Sequence, residues 1–320
     1  MIKNRNIAID AAIDPSKIVN LGMGEVFYVA ERGSAAHQWL DKRVPSDHLF
    51  DHVSTSSAVT VNGLKNAVAA CSSGRNDYVV VMPSTSTYYI DELLSLSKVG
   101  MHLIGASNNA TDYGSKNNIR IQQIGSALAI MEITAGGIEV AGLYLKNIST
   151  YAHITVPTTS TVSAWGLNIH HNTFVSRSST TSLPMLDCNG DGAAYSEISY
   201  NWFQSQVTGG SFTAGVIDVE AAAAKTTVAH NLIQAADNTY AYGIRNKSAH
   251  SLVAYNVITE DLGTVEVAIS VAAGCSIIGN RCAVATDHFS DGSATTGVGY
   301  ADNMDGVTEG TGGITAQLET

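Results

Sequence analysis

Positive charge is what this 320-residue chain has least of: 17 Lys and Arg stand against 28 Asp and Glu, a formal net charge of −11. That balance argues against nucleic acid as the main ligand, because neutralising phosphates needs clustered Lys and Arg, and no basic stripe is present. Charge of either sign is sparse, at 14% of residues, and only 5 prolines interrupt the chain. No run of about 18 apolar residues occurs, so no membrane-spanning helix is expected. The opening MIKNRNIAIDAAIDPSKI lacks the apolar core of a signal peptide, and a chain made in the cytoplasm is expected. Cys71, Cys188, Cys275 and Cys282 form no CxxC pair and no His/Cys metal spacing, so they read as reduced core residues. The glycine clusters AGGIE, GMGEV and GTGG lack the strand-to-helix setting of a phosphate loop, and no Ser or Cys nucleophile stands beside a base.

What is present is a repeat. A short apolar strand ending in asparagine returns as LNIHHNTF, EISYNWF, TVAHNLI, LVAYNVI and SIIGNRC. The shared asparagines are Asn172, Asn201, Asn231, Asn256 and Asn280, at steps of 29, 30, 25 and 24 residues. Strand-based periods of this length predict the coils of a parallel β-solenoid. Three residues before each asparagine stands an apolar residue, Ile169, Ile198, Val228, Val253 and Ile277. A buried amide must be paired, and stacking each asparagine on the next satisfies donor and acceptor in every rung, so these residues predict a structural ladder. The residues just before them, His171, Tyr200, His230, Tyr255 and Gly279, predict a column of stacked rings. His170 and His171 suggest a metal site, but no third ligand accompanies them, and packing histidines are expected.

The chain divides into an N-terminal arm, 1–24; an opening strand, loop and capping helix, 25–75; a parallel β-helix, 76–285; and a tail, 286–320. GEVFYVA at 24–30 reads as a strand and RVPSDHLFDHV at 43–53 as a loop. In VNGLKNAVAAC, the spacing of Leu64, Ala67, Val68 and Cys71 predicts a short helix that plugs the open end of the solenoid. YVVVMP at 78–83 and VGMHLIGAS at 99–107 read as strands, 108–128 as a polar insertion, and Leu143 occupies the asparagine position of an earlier coil. Seven or eight coils at the inter-strand spacing of about 4.8 Å give a shaft of roughly 35–40 Å. Beyond Ala285 the pattern ends in a Gly-, Thr- and Asp-rich tail with spaced apolar residues, expected to dock.

The helix at Leu64–Cys71, the proline-closed strand Tyr78–Pro83 and the G-x-x-L-I-G strand Gly100–Gly105 together resemble the opening of pectate-lyase-like right-handed β-helices. FYVAERGSAAHQWLDKRVPSDHLF at 27–50 resembles the start of tailed-phage virion proteins of this fold. The resemblance spans roughly residues 20–285. It implies an all-β, single-stranded right-handed parallel β-helix with a short N-terminal capping helix. It also implies a virion structural protein, a capsid decoration or short projecting knob, assembled in the host cytoplasm. Other virion proteins, the major capsid protein or neighbouring copies would be its partners, with a homotrimer expected.

Aligned on the asparagines, PMLDCN, VIDVEA, YGIRN and ISVAA fall on one sheet. Leu186 and Cys188, Ile217 and Val219, Tyr242 and Ile244, and Ile269 and Val271 are then expected to face inward. Asp187, Asp218, Gly243 and Ser270 form one outward column, and Asn189, Glu220, Arg245 and Ala272 the next, so Glu220 should lie beside Arg245. Stacked carboxylates favour a bound cation or one raised pKa. The resemblance implies the chemistry of polysaccharide lyases, which hold calcium on aspartates and abstract a proton with a basic residue; Asp187, Asp218 and Arg245 are the positions that carry over. The alternatives to a structural role are therefore a lyase or hydrolase acting on host surface glycans through Asp187, Asp218, Glu220 and Arg245, or a non-catalytic glycan-binding module on the same face. A solvated patch with one salt bridge is the simpler expectation. Asp187-Cys188-Asn189-Gly190-Asp191-Gly192 opens like a calcium loop, but Ile198 stands where the closing glutamate belongs. Calcium aside, no cofactor and no metal are expected. Asn109, Asn147 and Asn246 begin glycosylation sequons, which are read as incidental.

Overall fold

The computed structural model describes residues 24–106, 119–125, 128–157, 165–176, 180–181, 183–188, 193–205, 210–212, 215–220, 224–236, 238–261, 264–272, 274–283, 287–290, 299–301 and 303–305. Residues 1–23 of the N-terminal arm, most of the insertion at 108–128, and Asn189 to Gly192 lie outside them. Among the described residues the fold is all-β, with two short helices, α1 (Ala35–Leu40) and α2 (Gly63–Ala70).

From Tyr78 onward the chain visits three sheets in turn and then returns to the first. The first sheet runs through Val26–Glu31, Tyr78–Val81, His102–Gly105, Glu139–Ala141, Asn168–His170, Glu197–Ser199, Thr227–Ala229, Leu252–Ala254, Ser276–Ile278 and Gly299–Ala301. The second carries Tyr144–Asn147, Thr173–Ser176, Trp202–Ser205 and their successors, and the third Ile154–Val156, Leu186–Cys188, Ile217–Val219 and theirs. Every described pairing is parallel except the hairpin of Leu49–Thr55 with Ala58–Val61. This arrangement is consistent with a β-helix-like solenoid.

Strand alternation sends every second residue inward. On the first sheet Val140, Ile169, Ile198, Val228, Val253 and Ile277 therefore stack rung on rung with 0% exposure, as the asparagine spacing predicted. Phe174 and Phe203 stack on the second sheet, with centroids 4.5 Å apart. Each such buried side chain contributes about 1.5–3 kcal/mol. Leu64, Ala67 and Val68 of α2, together with Cys71, join Phe27, Val29, Val79 and Val81 in that same core. Asn62 caps this helix, its Oδ1 accepting from the Lys65 N–H at 3.1 Å.

Two expectations change. Residues 49–53, read as part of the loop 43–53, belong to a strand, Leu49–Thr55, that runs parallel to Val26–Glu31. Asp51 and His52 disguised it: His52 is buried, with its Nε2 within 3.0 Å of the Tyr89 carbonyl and 2.9 Å of Ser54 Oγ. The sheets also continue past Ala285, because Asp287–Ser290, Gly299–Ala301 and Met304–Asp305 add parallel strands to the third, first and second sheets.

Candidate functional site

Where the first sheet turns into the second, each asparagine has the same bonds. Asn201 Oδ1 accepts from Asn172 N at 3.0 Å and Asn172 Nδ2 at 3.1 Å; Asn201 Nδ2 donates to Ile169 O at 2.8 Å and Asn231 Oδ1 at 3.0 Å. Asn231, Asn256 and Asn280 repeat the pattern, and Leu143 N–H donates to Asn172 Oδ1 at 3.1 Å. The ladder has a sixth rung that the sequence reading missed: Asn303 Oδ1 accepts from Asn280 N and Nδ2. Its signal was YADN, 23 residues after Asn280 and patterned like VAYN.

The residue before each of the first five ladder asparagines is left-handed: His171 φ 55°, Tyr200 56°, His230 57°, Tyr255 55° and Gly279 62°. Their rings stack, His171 on Tyr200 at 5.0 Å, Tyr200 on His230 at 4.8 Å and His230 on Tyr255 at 5.2 Å. Five residues earlier a second left-handed column borders the other edge of the same sheet, at Gly137, Gly166, Tyr195, Lys225, His250 and Gly274. A non-glycine residue in this conformation costs about 1–2 kcal/mol, and stacking returns about 0.5–1.5 kcal/mol per pair. The rings at best offset the strain they impose, so the fold alone does not require them.

On the third sheet the carboxylate face differs from expectation by two residues in one coil. Asp187 pairs with Asp218, as expected, but Asp218 pairs with Arg245, not Gly243, and the inward residues of that coil are Ile244 and Asn246, not Tyr242 and Ile244. Arg245 is therefore bidentate to Asp218, with Nε donating to Oδ1 at 2.8 Å and Nη2 donating to Oδ2. Its guanidinium lies 5.2 Å from the Tyr242 ring centroid and 3.7 Å from Glu220 Oε1. Glu220 accepts two bonds from Lys247 Nζ at 3.2 Å, a partner the sequence reading overlooked. Asp187 is left without a hydrogen bond from any described residue while only 5% exposed. Burial, then Asp218 and Glu220, push its carboxyl up to about 6, with Arg245 opposing. The face thus holds two cation-paired carboxylates, Asp218 and Glu220, beside one carboxyl poised to carry a proton.

A second cluster, on the outer face of the first sheet, escaped the sequence because its members lie in different coils. Glu139 Oε2 meets His102 Nδ1 at 2.6 Å and Oε1 meets His170 Nε2 at 2.8 Å; His170 Nδ1 lies 2.8 Å from His171 Nδ1, and Tyr78 stacks on His102 at 4.2 Å. Burial would raise the Glu139 pKa, but the bonds from His170 and His102 hold it below the usual range. Of the two histidines expected to pack, His171 does so on Tyr200, whereas His170 joins His102 in orienting a carboxylate. No group of three or more His, Cys, Asp or Glu among the described residues is arranged to hold a metal ion.

Other singled-out residues are structural. All four cysteines are buried and none forms a disulfide, and burial raises the thiols of Cys71, Cys188 and Cys275. Asn147 and Asn246 have 0% exposure and close turns onto Ser149 N and Ser248 N, which removes both from the reach of a glycosyltransferase in the folded chain. Asn109 lies outside the described residues. No described helix is long and apolar enough to cross a membrane. Compared with known proteins, the chain matches no family model and no curated protein.

Proposed function

We propose that this chain is a single-stranded right-handed parallel β-helix of eight full coils that serves as a non-enzymatic structural protein of a tailed-phage virion, decorating the capsid or forming a short knob. Tyr78, Tyr88 and Leu94 begin the strands of the first coil, and Ser276, Arg281 and Asp287 those of the eighth. Right-handedness follows the rule for parallel crossovers. Eight coils at about 4.8 Å give a shaft of roughly 38 Å. The observation that carries the non-enzymatic reading is the third-sheet face, where two of its three carboxylates, Asp218 and Glu220, are tied up by Arg245 and Lys247. The opening that resembles phage β-helices supports the virion setting. Assembly in the host cytoplasm, a homotrimer, and contacts to the major capsid protein or neighbouring copies belong to the same reading. Mass spectrometry of purified particles tests it: the chain should be present at fixed copy number and sediment alone at three times its monomer mass. Recovery only from soluble lysate overturns it.

Asp187 favours a second reading, a polysaccharide lyase or hydrolase acting on host surface glycans. A carboxyl raised to about 6 can carry the proton that general acid catalysis needs. This reading expects release of unsaturated sugars or reducing ends, lost in Asp187→Asn and Asp218→Ala. Calcium dependence would further mark a lyase. Absence of release from a broad glycan panel refutes it.

A further inference from the structure

We propose that His170 and His171 bind a single first-row divalent cation, copper(II) by preference, through their Nδ1 atoms, while Glu139 orients His170 from the far side of its ring. The site stands apart from the third-sheet carboxylates, and neither the virion reading nor the polysaccharide reading enters the argument. The case begins with where the protons must be. Glu139, a carboxylate at neutral pH, can only accept, so the two nitrogens that meet it, His102 Nδ1 at 2.6 Å and His170 Nε2 at 2.8 Å, both carry hydrogen. A neutral His170 protonated at Nε2 has a bare lone pair at Nδ1. That atom lies 2.8 Å from His171 Nδ1, with the two rings at 87°. Between nitrogens at that separation stands either one shared proton or one cation. Metal-binding histidines commonly give their other N–H to a carboxylate, which fixes the tautomer and makes the ligating nitrogen more basic. Glu139 does this for His170, and His102, stacked on Tyr78 at 4.2 Å, anchors the second carboxylate oxygen.

The separation also selects the metal. With metal–nitrogen bonds of about 2.0–2.1 Å, nitrogens 2.8 Å apart subtend about 84–89° at the ion, close to the angle between neighbouring ligands in a tetragonal or square-planar site. A tetrahedral zinc ion would spread them to about 3.3–3.4 Å. Copper(II) takes the tetragonal arrangement and stands highest in the affinity order of the divalent first-row ions. Solvent can supply the remaining ligands, because His171 is exposed. Tyr200 stacks on one face of its ring at 5.0 Å, but the preceding coil places Gly142 in the same column, and the small residues Ala141 and Ser199 flank His170 in its sheet. Two protein nitrogens with solvent oxygens complete the site, so the lack of a three-residue cluster among the described residues does not bar it.

The test titrates the full chain, freed of metal by chelation and dialysis, with copper(II) chloride and separately with zinc chloride. Calorimetry at about pH 7.5, where an ordinary imidazole is neutral, reads the affinities, and electron paramagnetic resonance reads the copper-loaded protein. One equivalent of copper should bind, more tightly than zinc, with an axial spectrum split by two imidazole nitrogens. His171→Gly should abolish this binding. The column already holds glycine at Gly142 and Gly279, so the variant should keep its fold, which circular dichroism verifies. Glu139→Gln should weaken copper by roughly 10–100-fold and leave the two-nitrogen spectrum in place, as a positioning residue must. His230→Gly, in the same column, should change nothing. Copper taken up equally by His171→Gly, zinc bound more tightly than copper, or an affinity indifferent to Glu139→Gln overturns the proposal. So does a spectrum with fewer than two nitrogens, or loss of copper in His230→Gly alone.

Discussion

Replacing Asn231 probes the ladder where it is complete on both sides. Its Oδ1 accepts from Asn201 N and Nδ2, each at 3.0 Å, and its Nδ2 donates to Ile198 O at 2.9 Å and Asn256 Oδ1 at 3.0 Å. Asn231→Ala strands the Asn201 N–H and leaves the Ile198 carbonyl and the Asn201 amide short of a partner. All are buried, and each orphaned group costs about 1–3 kcal/mol; with partial relaxation the total should be about 3–5 kcal/mol. Asn231→Asp separates hydrogen bonding from shape. One carboxylate oxygen can still accept from Asn201, but the other faces the Ile198 carbonyl and Asn256 Oδ1, both acceptors. Burial and those acceptors raise the aspartate's folded pKa above its unfolded value, so its contribution is present at low pH and lost as pH rises. Relative to the parent chain, the variant should therefore be less destabilised at about pH 4 than at about pH 7.5. Urea unfolding followed by far-ultraviolet circular dichroism at both values measures this. A loss below about 1 kcal/mol in Asn231→Ala, or an Asp variant indifferent to pH, refutes the reasoning.

Asp187→Asn should stabilise the chain by on the order of 2 kcal/mol above pH 6 and by little near pH 4. The Asp187 carboxyl has a folded pKa raised to about 6, so its contribution is lost as pH rises through that value; denaturation midpoints against pH provide the check. His153 runs the other way: fully buried, with Nε2 2.9 Å from the Val175 carbonyl, it is pushed down to about 4. Its contribution is present above about pH 6.5 and lost towards pH 4, by about 3 kcal/mol. In His153→Leu this slope should vanish from the same titration. Arg245→Met, which leaves Asp218 buried and unpaired, should cost about 3 kcal/mol, most of it recovered by adding Asp218→Leu; thermal unfolding of the single and double variants decides. Thiol labelling should find the four buried cysteines unreactive in the native chain and reactive in urea.

The ladder could be read from sequence because each rung demands one residue type at one place, and the demand recurs. Sheet register was harder. Cys188 lies 13 residues before its ladder asparagine, Val219 12, Asn246 10 and Val271 9, so no constant count from the asparagine fixes this sheet, and the apolar pattern misplaces the coil of Asn246 by two residues. In that coil the apolar pair Tyr242 and Ile244 seemed the natural inward choice, but Asn246 is the buried residue and Tyr242 is not. The slip hid the Asp218–Arg245 pair. Glu139 with His102 and His170 was hidden for another reason, since no local motif spans the 37 and 31 residues between them. Only the stacking of coils turns those separations into contact.

The uniform bonding of the ladder makes the coil an interchangeable unit of length. Because Asn201 and Asn231 make the same bonds to the rungs above and below, excising residues 202–231 would join Asn201 directly to Leu232 and set Asn201 against Asn256 with the geometry Asn231 now has. The loss of a single residue within a strand would instead reverse which side chains face the core. Lineages of such a chain should therefore change length by whole coils of 23 to 30 residues, so that shaft length is graduated by duplication and deletion and not tuned residue by residue.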